Sequence, residues 1–141
     1  ILVPTMMNYV KKSKLKTANS NAKLVFTTVN NEAADMLVEG TSVTNTASQS
    51  GAVEVKSLQN TNTDAKSKLA NAVYNALKDN GDGAGWCLYM VNDDGSVNFA
   101  QWCDVESASG STGVLGQYPD PCKDADKANK AFSSTKISSW G

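Results

Sequence analysis

The sequence contains no histidine and no arginine, and all 13 of its basic residues are lysine. The absence of histidine removes the most common general base, the Ser-His and Cys-His nucleophile pairs and the most common zinc ligand. The absence of arginine removes the side chain that clamps phosphate with two parallel hydrogen bonds. The remaining residue types assemble no catalytic cluster, so we expect a protein that is not an enzyme and needs no cofactor or metal.

A large net charge is also absent. The formal charge is −1, from 13 basic and 14 acidic side chains, which argues against the uniformly basic surface of a nucleic-acid-binding domain. The charge is nevertheless uneven, because residues 1–23 carry five lysines and no acid while the rest of the chain carries all the acids. Subunits stacked head to tail could bring these regions together. The alternative for Lys11–Lys16 is a solvated helix face or a membrane-surface anchor.

Cysteine occurs only three times, as Cys87, Cys103 and Cys122, and never as C-x-x-C. A zinc site or a thioredoxin-type site therefore has little support. Three single disulfides are possible, each leaving one thiol over. We favour Cys103 with Cys122, which would close off a segment rich in glycine and serine. Pairing of Cys87 with Cys103 across a hairpin, or three reduced and buried thiols, remain as alternatives.

Glycine and proline are absent from Thr5 to Glu39. Apolar residues recur there at intervals of three and four, which predicts one long amphipathic helix with Gly40 at its C-terminal end. Such a helix would be about 52 Å long, more than the width of a small domain. We therefore expect the turns before Lys16 to be left for neighbouring molecules. The positions expected to pack against the rest of the protein are Leu15, Ala18, Ala22, Val25, Val29 and Met36.

The remaining residues, 40–141, predict an α+β head that completes a single domain spanning 1–141. A second helix is expected from a cap at Asn62 or Thr63 to about Asp79. Its apolar face would comprise Leu69, Val73, Ala76 and Leu77. The Asp-Gly turn at Asp94-Gly95, between aromatic and β-branched residues, predicts a hairpin of strands Trp86–Val91 and Ser96–Val105.

Three shorter strands and one further helix are weaker expectations. An alternating run predicts an edge strand at Val53–Lys56, and two others are expected at Val114–Tyr118 and Ile137–Trp140. Asp120-Pro121 has the form of a helix cap followed by proline, which predicts a polar helix to about Phe132. The sheet should be antiparallel, with the long helix packed on it.

The N-terminal residues carry a family resemblance. The segment begins with the apolar tetrad Ile1-Leu2-Val3-Pro4, too short to span a bilayer, with no helix cap before it, so we expect the sequence to start within a longer element. The tetrad, the lysine cluster and the run Ala18-Asn19-Ser20-Asn21-Ala22-Lys23 together resemble the second half of the N-terminal helix of type IV pilins and the related pseudopilins. The resemblance covers residue 1 to about residue 36.

This resemblance implies a pilin-like fold and a subunit of a bacterial surface filament that serves adhesion, motility or DNA uptake. The full-length form would be trimmed by a prepilin peptidase, anchored in the membrane, and assembled by inner-membrane machinery into a helical homo-oligomer. By the same resemblance, Cys103 and Cys122 would bound an exposed loop of the head. The helix positions expected to mediate assembly are Ile1, Leu2, Val3, Pro4, Met7, Val10, Lys11, Lys12 and Lys14.

Two alternatives accompany the pilus subunit. One is a pseudopilin of a type II secretion or competence apparatus, which the N-terminal helix does not separate from a pilin. The other is a cell-surface carbohydrate-binding module that would use Trp86, Trp102, Trp140, Tyr89 and Tyr118 to stack on a host or other polysaccharide. The acidic stretch Asp79–Gly83 has the wrong spacing for a calcium loop and is expected to be a helix-terminal turn, as Asp93–Gly95 is expected to be a hairpin turn.

Overall fold

The computed structural model describes residues 4–49, 51–59, 61–80, 85–104, 114–124, 128, 132–133 and 135–138, and describes only the backbone of residues 4–11, 46, 79 and 80. Within these ranges the chain forms an α+β architecture with a long N-terminal helix and a four-stranded antiparallel sheet. This confirms the predicted fold class at that level. Ile1, Leu2 and Val3 of the expected assembly segment lie outside the described residues.

The N-terminal helix, α1, runs from Pro4 to Val38 without interruption. It ends as Gly40 predicts, because Gly40 adopts a φ of +90°. The Thr41 N–H donates to the Met36 carbonyl at 2.8 Å, and the Gly40 N–H donates to the Leu37 carbonyl at 3.1 Å. These two bonds satisfy carbonyls that a helix end otherwise leaves open, in the arrangement of a Schellman motif.

The second helix, α2, spans Ala65–Asn80. Its cap is Asp64, and the predicted caps Asn62 and Thr63 are wrong. The Asp64 side chain accepts a hydrogen bond from the Ser67 N–H at 3.2 Å, which satisfies one of the open donors of the first turn. On the predicted apolar face, Leu69, Val73 and Leu77 are buried and Ala76 is half-buried.

The sheet has the strand order β1-β2-β3-β4, and every neighbouring pair is antiparallel. The predicted hairpin and the strand near Tyr118 are present, and the turn between β2 and β3 closes with the Asn92 N–H donating to the Ser96 carbonyl at 2.8 Å. Gly95 in this turn has a φ of +88°. Val105 lies outside the described residues. The strands are β1 at Val53–Glu54, β2 at Trp86–Val91, β3 at Val97–Cys103 and β4 at Gly116–Tyr118.

The edge strand β1 is shorter than the predicted Val53–Lys56. The Val55 N–H donates to the Gly85 carbonyl at 2.9 Å, and the chain then turns into a short 3-10 helix at Val55–Leu58. The Ser57 hydroxyl donates back to the Glu54 carbonyl at 2.7 Å. This local turn takes the place of the last two strand residues. A second 3-10 helix lies at Asn45–Ala47.

The two faces of the sheet are covered by different elements. Helix α1 packs on one face and α2 packs against α1, and the side chains of Cys87, Tyr89 and Trp102 from that face join both helices in the main hydrophobic cluster. On the other face, Cys103 packs with Leu115 and with the half-buried Phe132 and Ile137 from the C-terminal segment. The sheet is therefore the middle layer, which explains why most of β3 is buried on both sides.

The predicted helix from Asp120-Pro121 to Phe132 is wrong in its described part, because residues 121–124, 128 and 132 are not helical. Asp120 has a φ of +59°, whereas a helix cap has an extended backbone. The carbonyls of Pro119 and Asp120 accept hydrogen bonds from Gln117 Nε2 at 3.2 and 3.1 Å, and the Cys122 carbonyl accepts one from Asn19. Side chains from other elements thus hold the backbone that the helix would have used.

The predicted strand Ile137–Trp140 is also wrong at Ile137 and Ser138, which are not in a strand. The Ile137 N–H donates to Gln117 Oε1 at 2.9 Å, and the Ile137 carbonyl accepts from Gln117 Nε2 at 2.7 Å. One side-chain amide therefore gives Ile137 both of the bonds that a neighbouring strand would have given. Trp140 lies outside the described residues.

The buried core predicts a loss of stability at alkaline pH. Burial raises the pKa of the Cys87 thiol from 9.0 to about 12, and burial also raises the pKa of the Tyr89 hydroxyl. Both groups stay neutral in the folded state while the unfolded chain ionises, so stability is retained below pH 9 and falls above it. The Cys87 contribution is about 1.4 kcal/mol per pH unit between pH 9 and pH 12.

Denaturant titrations at pH 9, 10 and 11 check this effect. The wild-type free energy of unfolding should fall more steeply with pH than that of Cys87→Ala, by about 1.4 kcal/mol per pH unit. The comparison of slopes removes the constant cost of the side-chain truncation. Equal slopes in the two proteins would show that the Cys87 thiol ionises as readily in the folded state as in the unfolded chain.

Candidate functional site

The sequence analysis predicts that the long helix α1 mediates both assembly and packing against the head. One stripe of α1 faces the head. The buried stripe recurs every three or four residues, so it follows a single face of a 3.6-residue helix. Its members are exposed by 5% or less. Ala33 belongs to it as well, although the sequence analysis did not include that residue. The buried side chains are Leu15, Ala18, Ala22, Val25, Val29, Ala33 and Met36.

The helix and the sheet are in close backbone contact at Ala18 and Gly116, the first residue of β4. A Cβ atom on Gly116 would fall on the carbonyl carbon and oxygen of Ala18 and close to the Asn19 nitrogen. Only a glycine therefore allows the helix backbone to rest directly on this strand. The small Ala18 side chain keeps the helix face flat at the same point.

Asn19 fixes this contact with two hydrogen bonds to the head. Its Oδ1 atom accepts from the Gln117 N–H at 3.1 Å, and its Nδ2 atom donates to the Cys122 carbonyl at 3.0 Å. One helix residue thus satisfies a donor on β4 and an acceptor in the loop that follows it. Asn19 belongs to the Ala18–Lys23 run that carries the family resemblance, but the sequence pattern does not reveal this bridging role.

A buried pair of glutamines holds the C-terminal segment to the opposite face of the sheet. Gln101 and Gln117 face each other on β3 and β4, are 0% exposed, and share a 2.8 Å hydrogen bond from Gln101 Nε2 to Gln117 Oε1. Gln101 Oε1 also accepts from the Ser133 N–H at 3.1 Å. The sequence did not lead us to predict that either glutamine is buried and bonded across the sheet. The signal that could have indicated it was an uncharged amide inside an otherwise apolar strand.

The N-terminal turns of α1 differ from the turns that follow. Leu15 is the first buried residue among the described side chains of α1, and it packs with Val114, Cys122 and Ala128. Immediately before it, Lys12, Ser13 and Lys14 are exposed. Of the expected assembly positions, Pro4, Met7, Val10 and Lys11 are described only as helical backbone. The assignment of these residues to assembly stays a prediction.

A basic flank runs along one side of the buried stripe. We define it as Lys12, Lys16 and Lys23, which are all exposed and lie on one side of the helix at about 100° per residue. The Lys23 Nζ atom lies 5.6 Å from the centre of the Tyr118 ring, a cation–π contact. Because Tyr118 belongs to β4, this contact places the basic flank on the β4 side of the molecule.

An acidic flank runs along the other side of the stripe. We define it as Glu32, Asp35 and Glu39, spaced three and four residues apart in the last turns of α1 and just beyond its end. Glu32 and Glu39 line a polar cleft of about 380 Å³ between α1 and α2. Lys68, Asn71 and Asn75 of α2 line the opposite wall. Lys14 falls on this side of the helix too, several turns before the cleft.

These charges do not support the helix itself. No acidic residue lies in the first turn of α1 and no basic residue lies in its last turn, although those are the placements that stabilise a helix through its dipole. The lysines instead precede the acids along the helix. Charges at its two ends therefore add no stabilisation through the dipole, and the packed stripe supplies the tertiary contacts that hold α1.

The three cysteines are all buried, but each belongs to a different apolar cluster of the structure. Cys87 is opposite Trp102 and Cys103 is opposite Trp86 in the β2–β3 register, so the side chains of Cys87 and Cys103 point to opposite faces of the sheet. This arrangement does not favour a bond between them. The Cys103 thiol donates to Asp104 Oδ1 at 3.5 Å, and the Cys122 thiol donates to the Asp124 carbonyl at 3.1 Å. The Cys103–Cys122 pairing stays a prediction.

The aromatic residues proposed for sugar stacking are divided between layers. Trp102 is 3% exposed and Tyr89 is 0% exposed, so neither ring presents a face to a ligand. Trp86 and Tyr118 are half-buried. Tyr118 instead makes an edge-to-face contact with Phe26 of α1, with ring centres 4.9 Å apart. The described aromatic rings therefore form no common platform.

Other kinds of site find little support in the described residues. There, no group of three cysteine, aspartate or glutamate residues could hold a metal ion together. Asp93 and Asp94 belong to the hairpin turn, where Asp94 Oδ1 accepts from the Ser96 N–H at 3.0 Å. Residues 81–84 of the acidic stretch lie outside the described part. No described helix combines the length and apolar character that crossing a membrane requires.

Comparisons with known proteins add no relative. No protein-family model, curated protein or solved structure matches this chain.

The close contact between α1 and β4 predicts that adding one methyl group at Gly116 strongly lowers the free energy of unfolding. Gly116→Ala should cost about 3 kcal/mol, because the new Cβ atom would overlap the Ala18 backbone and force the helix away from β4. Gly51→Ala is the matched control, since no atom lies within 4 Å of its added Cβ. Denaturant unfolding measures both. Equal midpoints for the two variants would mean that α1 does not rest on β4 at this point.

Proposed function

We propose that this protein is a structural subunit of a type IV pilus-like surface filament, non-enzymatic, and anchored in the membrane before assembly. The observation that carries the proposal is the 35-residue helix, which packs on an antiparallel sheet through one stripe whose first member among the described side chains is Leu15. The helical turns that precede Leu15 account for about 16 Å of its length.

A helix of this length has a physical requirement that a filament meets. A head of this size is narrower than the helix, and an isolated helix end gains little stability from its own propensity. Lateral packing of the same segment from several copies would bury the N-terminal apolar residues Met7 and Val10. Ala18 and Ala22 are small residues that let α1 pack closely on its own head, where both are buried.

The family resemblance supports the same function. It supplies the expectation of a prepilin peptidase, an inner-membrane assembly machinery and a location at the cell surface. The long helix on a four-stranded antiparallel sheet is the architecture that this resemblance implies. A pseudopilin of a secretion or competence apparatus would use the same helix and sheet.

Immunogold electron microscopy of the producing cells tests the proposal, with an antibody raised against the head and a strain lacking the gene as control. The proposal predicts gold along extended extracellular fibres that disappear in the deletion strain. Gold confined to the envelope, with secretion or DNA uptake lost on deletion, would replace the pilus subunit with the pseudopilin. Fibres that persist without the gene and carry no gold would contradict both.

A further inference from the structure

We propose that the acidic flank of α1, together with the cleft beside it, is the docking surface for the basic flank of a second copy of this chain. The proposal rests on the proposed filament function and names the contact that would hold neighbouring subunits in register. The acidic flank is Glu32, Asp35 and Glu39, and the basic flank is Lys12, Lys16 and Lys23.

The two flanks lie on different sides of the molecule. At 100° per residue their centres are about 150° apart around α1. The contact of Lys23 with Tyr118 marks the β4 side, and the cleft against α2 marks the other side. A contact between two different surfaces of identical chains is heterologous, so it leaves one surface open on each end copy. Repetition of such a contact builds an open helical filament when the rotation between copies does not close a ring.

The positions of the flanks along the helix also set an offset between neighbours. The basic flank is centred near residue 17 and the acidic flank near residue 35. At 1.5 Å per residue, parallel copies would be displaced by about 27 Å along the helix axis. In this arrangement the basic flank of one copy lies beside the last turns of α1 in its neighbour. Both flanks lie outside the buried stripe, so each can be reached by another copy.

The cleft has the chemistry that a lysine side chain requires. An ammonium group has three donors and no acceptor, and the cleft walls offer the carboxylates of Glu32 and Glu39 with the hydroxyl and amide groups of Thr61 and Asn75. Its volume of about 380 Å³ has room for more than one lysine side chain. Lys68 stands on the α2 wall, so the three flank carboxylates leave this surface net negative.

The acidic flank has no ion-pair partner among the described residues, whereas Lys23 of the basic flank contacts the Tyr118 ring. Within the described residues, no ion pair joins Glu32, Asp35 or Glu39 to a lysine. By contrast, the head does contain an ion pair elsewhere, in which Lys136 Nζ lies 2.9 Å from Asp120 Oδ2. The carboxylates of the acidic flank are therefore available for an intermolecular contact.

Charge reversal tests the contact in the producing cells, with filament number per cell as the readout. Lys12→Glu with Lys16→Glu, and separately Glu32→Lys with Glu39→Lys, should each reduce filament number by more than about tenfold, because like charges would then face each other. The four substitutions combined should restore filaments. Lys56→Glu with Lys66→Glu is the matched control, since both lysines are exposed and belong to neither flank.

Two measurements keep an assembly defect distinct from a folding defect. The unfolding midpoint of each purified variant should match that of the Lys56 and Lys66 control, since every changed side chain is at least partly exposed. Carbodiimide treatment of native filaments should join Lys12 or Lys16 to Glu32 or Glu39. Even the nearest of these pairs, Lys16 and Glu32, is separated by about 24 Å along the helix, so a zero-length link between the flanks must connect two chains.

The outcomes separate this contact from the function on which it rests. Normal filament numbers in both one-sided variants, or native filaments that yield other interchain links but none between the flanks, would overturn the docking proposal and leave the filament function standing. A wild-type strain without fibres would overturn the filament function, and the docking proposal with it.

Discussion

The fold depends on the direct contact between the α1 backbone and the edge strand β4. Gly116 provides the space, Ala18 keeps the helix face flat, and Asn19 bonds to both the strand and the following loop. Because these groups meet near the middle of the helix, they fix where the stripe from Leu15 to Met36 enters the core. They also determine which helical turns precede the head and on which side of the molecule each charged flank lies.

On the opposite face of the sheet, polar contacts and the apolar cluster around Cys103 and Leu115 together hold the described part of the C-terminal segment. Gln117 Oε1 accepts from the Ile137 N–H and from Gln101 Nε2, and the two hydrogens of Gln117 Nε2 are shared among the carbonyls of Ile137, Pro119 and Asp120. A buried amide that satisfies this many partners specifies one arrangement of an irregular chain. The contact of α1 with Gly116 and this hydrogen-bond network meet at β4, because Gly116 and Gln117 are adjacent strand residues that face opposite sides of the sheet.

The sequence predicted the elements whose causes are local or periodic. The spacing of the apolar residues identified α1, the Gly40 stop identified its end, and the Asp94-Gly95 turn identified the hairpin. The errors fall where tertiary contacts replace local ones. The Asp120-Pro121 signal is a valid helix start in isolation, but Gln117 and Asn19 take the carbonyls it would have used. The position of the basic flank on the molecule could not be predicted from the sequence, because the Lys23–Tyr118 contact that places it on the β4 side joins residues far apart in the chain.

Under the proposed function, assembly relies on α1, whose described side chains pack against the head from Leu15 onward and whose preceding turns would contact neighbouring copies. Amide hydrogen exchange along α1 tests this most directly, in the isolated chain and in assembled filaments. The account predicts that amides 18–36 are protected in both states, whereas amides 5–14 exchange rapidly in the isolated chain and become protected on assembly. Uniform protection of the whole helix in the isolated chain, unchanged on assembly, would contradict it.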